Sequence, residues 1–207
     1  MKLYSTPHAP NPRRVRMFIA EKGIGDIEII DIDVMNHAHK TAAFTRISPL
    51  ARVPALELND GRCLCESRAI CNYLEILYPE PNLMGHDAEE RAFIEMYDRL
   101  VEWYVYAPSA NWVRHTHPVL APLEQPQFPD YGQSQAEKLL PGLQWLEQRL
   151  SEHAYVAGDR FTVADITVFC SIEISAMVQF SPGEAGYPAV QAWRDRMAQR
   201  HSATASQ

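Results

Sequence analysis

The sequence predicts an α/β domain over residues 1–78 followed by an all-helical domain over residues 87–207. Three observations carry this division. The chain opens in the order strand, helix, strand; the Asp60-Gly61 pair joins two short apolar runs as a hairpin turn; and the periodic segments after residue 87 have helical spacing.

Taken in order, residues 2–5 form a brief strand. Pro12 precedes a helix whose Val15, Phe18 and Ile19 follow helical spacing, and Gly23 ends it. From Ile27 to Ile32 acids and apolar residues alternate, as a second strand requires. A helix near residues 40–46 leads to a strand at 55–58. Pro54 marks its edge, because a proline has no N–H to give to a central ladder. The Asn59-Asp60-Gly61 turn, a strand at 62–65 and a helix at 67–77 complete the order βαβ-α-ββα, that of a thioredoxin-like domain. Tyr78-Pro79-Glu80-Pro81-Asn82 stops that helix. A long helical pattern then begins near Asp87, with Phe93, Met96, Tyr97, Leu100 and Tyr104 recurring at helical spacing and Pro108 expected to kink or break it. Four prolines between 118 and 129 crowd a polar loop before the amphipathic run Leu139, Leu143, Leu146, Leu150. Thr162-Val163-Ala164-Asp165 has the spacing of a capping box, which gives Asp165 a structural role.

Composition narrows the function. With 207 residues, 46% hydrophobic and 22% charged, the chain has the balance of a folded globular protein. A formal charge of −7 argues against broad nucleic-acid binding, which needs clustered cations to neutralise phosphates. Arg13, Arg14 and Arg16 do cluster, and are expected to form a solvated first helix turn beside an anion site. No apolar run approaches the roughly 20 residues of a membrane span, and no leader pattern opens the chain, so a cytoplasmic address without membrane partners is expected. Cys63, Cys65, Cys71 and Cys170 form no C-x-x-C motif and are expected to be reduced, partly buried thiols. No metal is expected, since His115 and His117 lack a third ligand at suitable spacing.

The most specific pattern is Leu50-Ala51-Arg52-Val53-Pro54-Ala55-Leu56-Glu57-Leu58 followed by Cys65-Glu66-Ser67-Arg68-Ala69-Ile70. Ser67 falls where first-turn N–H groups are unpaired and can hold an anion. These residues resemble the glutathione-binding half of the glutathione transferases, with a "V-P-x-L" strand start and an "E-S-x-A-I" helix start. The "T-x-A-D" segment at 162–165 and Tyr187-Pro188-Ala189-Val190-Gln191-Ala192-Trp193 extend the resemblance over nearly the whole chain. It implies a thioredoxin-like domain plus an all-helical domain carrying a hydrophobic acceptor site, a homodimer, and glutathione as co-substrate. Carried over residue by residue, Arg52, Val53, Pro54, Glu66 and Ser67 bind glutathione. Pro54 is cis, Val53 offers its N–H and C=O to the cysteinyl amide, and Glu66 and Ser67 hold the γ-glutamyl end.

Glutathione chemistry needs the thiolate, and a free thiol of pKa about 8.5 is only a few per cent ionised at neutral pH. Family members commonly place a Tyr, Ser or Cys after the first strand; here the "C-P-x-x" cysteine position of omega-type members is Ala9. Ser5, Thr6 and Asn11 remain as donors, with Asn11 better placed to aim an amide N–H at the sulfur. The segments from Tyr4 and from Tyr155 resemble a fungal and bacterial branch without the usual catalytic side chain. In that branch a water held by a His and a Ser of the helical domain acts on the sulfur. His115 or His117 fits the His, and Ser109 or Ser134 the Ser; the two imidazoles also fit a polar helix end, where they favour the dipole. Tyr104 and Trp112, with Trp103 and Tyr106, are candidates for the acceptor wall, or for core packing. The implied activity is addition of glutathione to a small hydrophobic electrophile. The alternatives are glutathione-dependent cleavage of an ether or carbon–halogen bond, and a glutathione-binding protein without turnover.

Overall fold

Leu3 and Leu56 have no exposed surface because they lie opposite one another at the centre of a four-stranded sheet. In the computed structural model, which describes residues 1–205, the strands β1 (Lys2–Ser5), β2 (Glu28–Asp31), β3 (Ala55–Glu57) and β4 (Cys63–Cys65) take the order β2-β1-β3-β4. β1 runs parallel to β2 and antiparallel to β3, and β3 antiparallel to β4. Register aligns Ile29, Leu3, Leu56 and Leu64 across one face, and Ile29 on the edge strand is the one left 44% exposed. The chain divides into two compact units, the first comprising Met1–Pro81 and the residues from His201, the second Asn82–Arg200.

In unit 1, α1 (Pro10–Glu21) buries Val15, Met17, Phe18 and Ile19, and α3 (Ser67–Leu77) buries Ile70, Cys71 and Leu74. A short α2 (Ala42–Thr45) is capped by Thr41. Lys22, just past α1, pairs with Glu75 of α3 at 2.5 Å, both side chains nearly inaccessible, and its Nζ also donates to the Tyr78 carbonyl at 2.8 Å. Two expectations are corrected here. Arg13, Arg14 and Arg16 are buried rather than solvated, and His201–Ala205 belongs to unit 1 rather than to the helical domain; residues 206 and 207 lie outside the described residues. The second explains part of the first. The helix His201–Ala205 covers α1: Arg13 Nη2 donates to the Ala203 carbonyl at 3.2 Å, the His201 ring meets the Ala20 carbonyl at 2.9 Å, and Ser202 donates to Glu21 at 2.5 Å. The Ala20 carbonyl of α1's last turn, which already accepts from Gly23 N at 3.1 Å, thereby gains a second partner. Arg16 turns the other way, donating to Ser5 Oγ at 2.8 Å and pairing with Asp31.

Unit 2 is helical. α4 (Ala88–Val101) starts at Asp87, whose carboxylate accepts from Glu90 N at 2.9 Å. Its buried stripe is Ile94, Asp98 and Val101, whereas Phe93, Met96 and, just beyond it, Tyr104 of the expected apolar series are 50%, 42% and 54% exposed. Pro108 does not break the run. It cannot donate to the Tyr104 carbonyl, and the helix widens into a π turn over Glu102–Tyr106 before continuing as α5 (Ala107–Thr116). α6 (Pro129–Glu152) buries Leu139, Leu143, Leu146 and Leu150. Its Gly142 passes so close to the π turn that a Cβ there would lie 2.1 Å from the Tyr104 carbonyl oxygen. α7 (Val163–Ser175) is buried over most of its surface and opens on the expected capping box. Asp165, with no exposed surface, accepts from Thr162 N, Val156 N and Trp193 Nε1 at 2.9–3.1 Å. Trp193 belongs to α8 (Pro188–Ala198), so the cap also anchors that helix. No helix among the described residues is long and apolar enough to cross a membrane.

Candidate functional site

In unit 1 the chain enters β3 through Ser48, which is buried and accepts from Arg52 N at 3.1 Å, leaving the Arg52 side chain exposed. The Val53–Pro54 peptide is cis, as the motif leads one to expect, and Pro54 is buried. The β3 ladder begins at Ala55. Val53 therefore lies outside it, and its N–H and C=O take part in none of the loop hydrogen bonds among the described residues. An extended ligand can pair with such an edge.

Glu66 precedes α3 at φ 70°, a conformation uncommon for a residue with a Cβ, and its exposed side chain caps nothing. Ser67 is 5% exposed and forms the first residue of the helix. Its Oγ lies 3.5 Å from Asn11 Oδ1, which also accepts from Arg14 Nη1 at 3.1 Å. The structure thus brings Asn11 and Ser67 together at the amino ends of two helices. α1 has no side-chain cap, and Pro10 and Pro12 carry no N–H, so Asn11 N–H is the open donor of that first turn. Two helix amino ends and these donors make a corner suited to a carboxylate. Ser5 is fully buried with its oxygen accepting from Arg16, Thr6 is 6% exposed, and His8 is exposed at φ 63°. Tyr4 donates to Glu57 at 2.6 Å; that bond pushes its pKa up to about 12, so its proton is committed.

One group escaped the sequence reading. His37 and His39 place their rings 6.0 Å apart, and Nδ1 of each is buried with no hydrogen-bond partner. Burial, then the positive charges of Lys40 and Arg52, holds the His39 imidazole below its ordinary pKa. The signal was present as His37-Ala38-His39-Lys40 in the loop after the second strand, three basic side chains in four residues.

In unit 2 the two candidate histidines differ. His115 is buried, its Nδ1 accepts from Phe128 N at 3.2 Å, its ring meets Tyr131 edge-on at 5.0 Å, and its Nε2 lies 4.0 Å from Glu124. His117 ends α5, and its Nδ1 is buried without a partner. Ser109 is buried, whereas Ser134 donates to the Tyr131 carbonyl at 2.7 Å. Tyr104 and Trp103 are exposed; Trp112 packs edge-on against Phe180 at 6.1 Å. Among the described residues no group of three His, Cys, Asp or Glu side chains is arranged to hold a metal ion. All four cysteines are reduced thiols, with Cys71 and Cys170 buried, and burial raises the Cys63 thiol above its ordinary pKa. Replacing all four by Ser or Ala is expected to leave activity within about threefold in a variant whose circular dichroism shows it folded, since all four lie outside the loop that follows the first strand. Loss of turnover in that folded variant would refute it.

Residues 1–75 match the glutathione S-transferase N-terminal domain and residues 108–201 the C-terminal domain. Glutathione S-transferase 2 of Saccharomyces cerevisiae is 35% identical over 98% of this chain and 87% of its own length. Glutathione S-transferase 3 of Zea mays is 32% identical over 97% and 90%. Among solved structures, Gtt2 from Saccharomyces cerevisiae superimposes with a TM-score of 0.92 at 33% identity over the whole of both chains. A glutathione S-transferase domain-containing protein of Marinobacter aquaeolei gives 0.91 at 37% identity, covering 98% of this chain and 99% of its own.

Proposed function

Because the chain belongs to the glutathione S-transferase family, we propose that it ionises glutathione and joins the sulfur to a small hydrophobic electrophile. The observation that carries this is the corner in unit 1, where the unpaired Val53 edge follows directly on Arg52 and the Ser67 helix start meets Asn11. In this reading Val53 pairs with the cysteinyl amide next to cis Pro54, and Glu66 and Ser67 hold the γ-glutamyl end. The basic group His37, His39, Lys40 and Arg52 suits the glycyl carboxylate. The thiol proton passes through a water to the imidazole of His115 or His117 that holds it, the thiolate attacks carbon, and a carbon–sulfur bond forms as the electrophile's leaving group, such as chloride, departs with the electrons of the bond that breaks. Of the two imidazoles, His117 suits that water, since its Nδ1 lacks a protein partner whereas His115 Nδ1 is engaged. Ser5 and Asn11 complete the set of candidate donors. Tyr104 and Trp112 contribute to the apolar acceptor wall. The exposed apolar series Phe93, Met96 and Trp103 suits a second copy of the chain, giving a homodimer, and a cytoplasmic setting suits its reduced thiols.

Retention on immobilised glutathione together with turnover of a chlorinated aromatic electrophile tests the reading. Retention without turnover would favour a binding protein, a reading that Ala9 supports by offering neither hydroxyl nor thiol. Ser67→Ala is expected to weaken glutathione binding by about 1.5–3 kcal/mol, the range for a hydrogen bond to a charged group. An unchanged dissociation constant by calorimetry would remove Ser67 from the site.

A further inference from the structure

The geometry points to Asn11 as a further donor to the carboxylate at the γ-glutamyl end of glutathione, and to Arg14 as the positioning residue that turns Asn11 toward it. This rests on the reading that unit 1 binds glutathione. A guanidinium carries donors only, so the Asn11 atom 3.1 Å from Arg14 Nη1 must be the amide oxygen. Ser67 Oγ approaches the same oxygen at 3.5 Å. With its carbonyl turned to these two groups, Asn11 presents its NH2 group outward, and that nitrogen has no hydrogen-bond partner among the described residues. Asn11 is half-buried, and its backbone N–H is unpaired as well.

Arg14 is 3% exposed and cannot lose its proton, which fixes the amide in one sense at any ordinary pH. An anion seated on the first turn of α3 beside Ser67 therefore meets amide donors from Asn11 on its second side. Without Arg14, the amide could flip and set its oxygen against the carboxylate. The pair thus selects for a ligand with an anionic group at this end, in addition to a thiol.

The test compares Asn11→Ala with Asn11→Asp, reading the glutathione dissociation constant by calorimetry and the pKa of the bound thiol by thiolate absorbance. Asn11→Ala is expected to weaken binding roughly ten- to a hundredfold, the loss of one charge-assisted hydrogen bond. Asn11→Asp keeps an acceptor for Arg14 and Ser67 but sets a second carboxylate against the ligand, and is expected to bind more weakly than Asn11→Ala. If Asn11 were only a clip for its neighbours, Asn11→Asp would bind as the parent does, and the proposal would fall. Unchanged dissociation constants with a raised thiol pKa would overturn it in favour of a donor to sulfur. Arg14→Met is expected to match Asn11→Ala, and the double variant to lose no more than either alone; if Arg14→Met does not fold, the two Asn11 variants decide. Failure of the parent protein to bind glutathione would instead reject the underlying reading.

Discussion

Replacing His117 by Ala is expected to lower the rate of glutathione conjugation roughly 10²–10⁴-fold, the range for a positioned acid or base. The dissociation constant of glutathione should stay within about twofold, because the contacts proposed for the tripeptide come from unit 1. The bound thiol should also titrate closer to the free value of about 8.5. His117 Nδ1 has no protein partner, so its removal strands no donor and should cost little stability. His115→Ala differs, since it leaves the Phe128 N–H without its acceptor and empties the space against Tyr131. That variant should lose stability first. Full rate and an unshifted thiol titration in both variants would end the water mechanism and leave Asn11 and Ser5 as the candidate donors.

Asp165→Ala is expected to destabilise the protein by about 3–5 kcal/mol in urea unfolding, because it strands the buried N–H groups of Thr162, Val156 and Trp193 together. A loss below about 1 kcal/mol would contradict this account of the cap. The same carboxyl gives an unusual pH dependence. Burial raises its pKa from 3.8 to about 6, opposed by the hydrogen bonds it accepts. Between those values the folded state binds more protons than the unfolded state, so this group's contribution to stability falls as pH rises from about 4 to about 6 and is flat above. Asp165→Asn does not titrate. Its penalty relative to the parent should therefore be larger near pH 4 than near pH 7, by roughly 1–3 kcal/mol. A penalty that grew with pH would mean that the carboxylate is stabilised by its donors rather than raised by burial.

Much of this was legible in the residues because local chemistry fixes it. A proline at a strand edge, an Asp-Gly turn and a Thr-x-x-Asp cap each act within a few residues, and the helix Ser67–Leu77 falls where its spacing places it. What the sequence hid depends on neighbours far along the chain. Arg13 looks like a solvent-facing cation until a helix from residue 201 onward, itself without apolar periodicity, is laid over α1. The apolar series Phe93, Met96 and Tyr104 obeys helical spacing, yet the buried stripe lies on Ile94, Asp98 and Val101, where a polar residue interrupts the pattern. At Pro108 the missing N–H was legible, but its accommodation was not, because the π turn is packed against Gly142 of a helix more than thirty residues away. The pairing of Asn11 with Ser67 was hidden for the same reason: each is an ordinary helix start, and only the fold makes them neighbours.

The helix His201–Ala205 has a consequence for how the protein is made. Unit 1 holds both the first residues of the described chain and its last helix, with the whole of unit 2 inserted between them. During synthesis the sheet can form early, but Arg13 must wait for the Ala203 carbonyl until the whole of unit 2 has been made. Unit 2 has all of its residues before unit 1 does. The nascent first unit therefore carries an exposed guanidinium while unit 2 is being made, and a ribosome that stops short of residue 201 releases a chain whose first unit is unfinished.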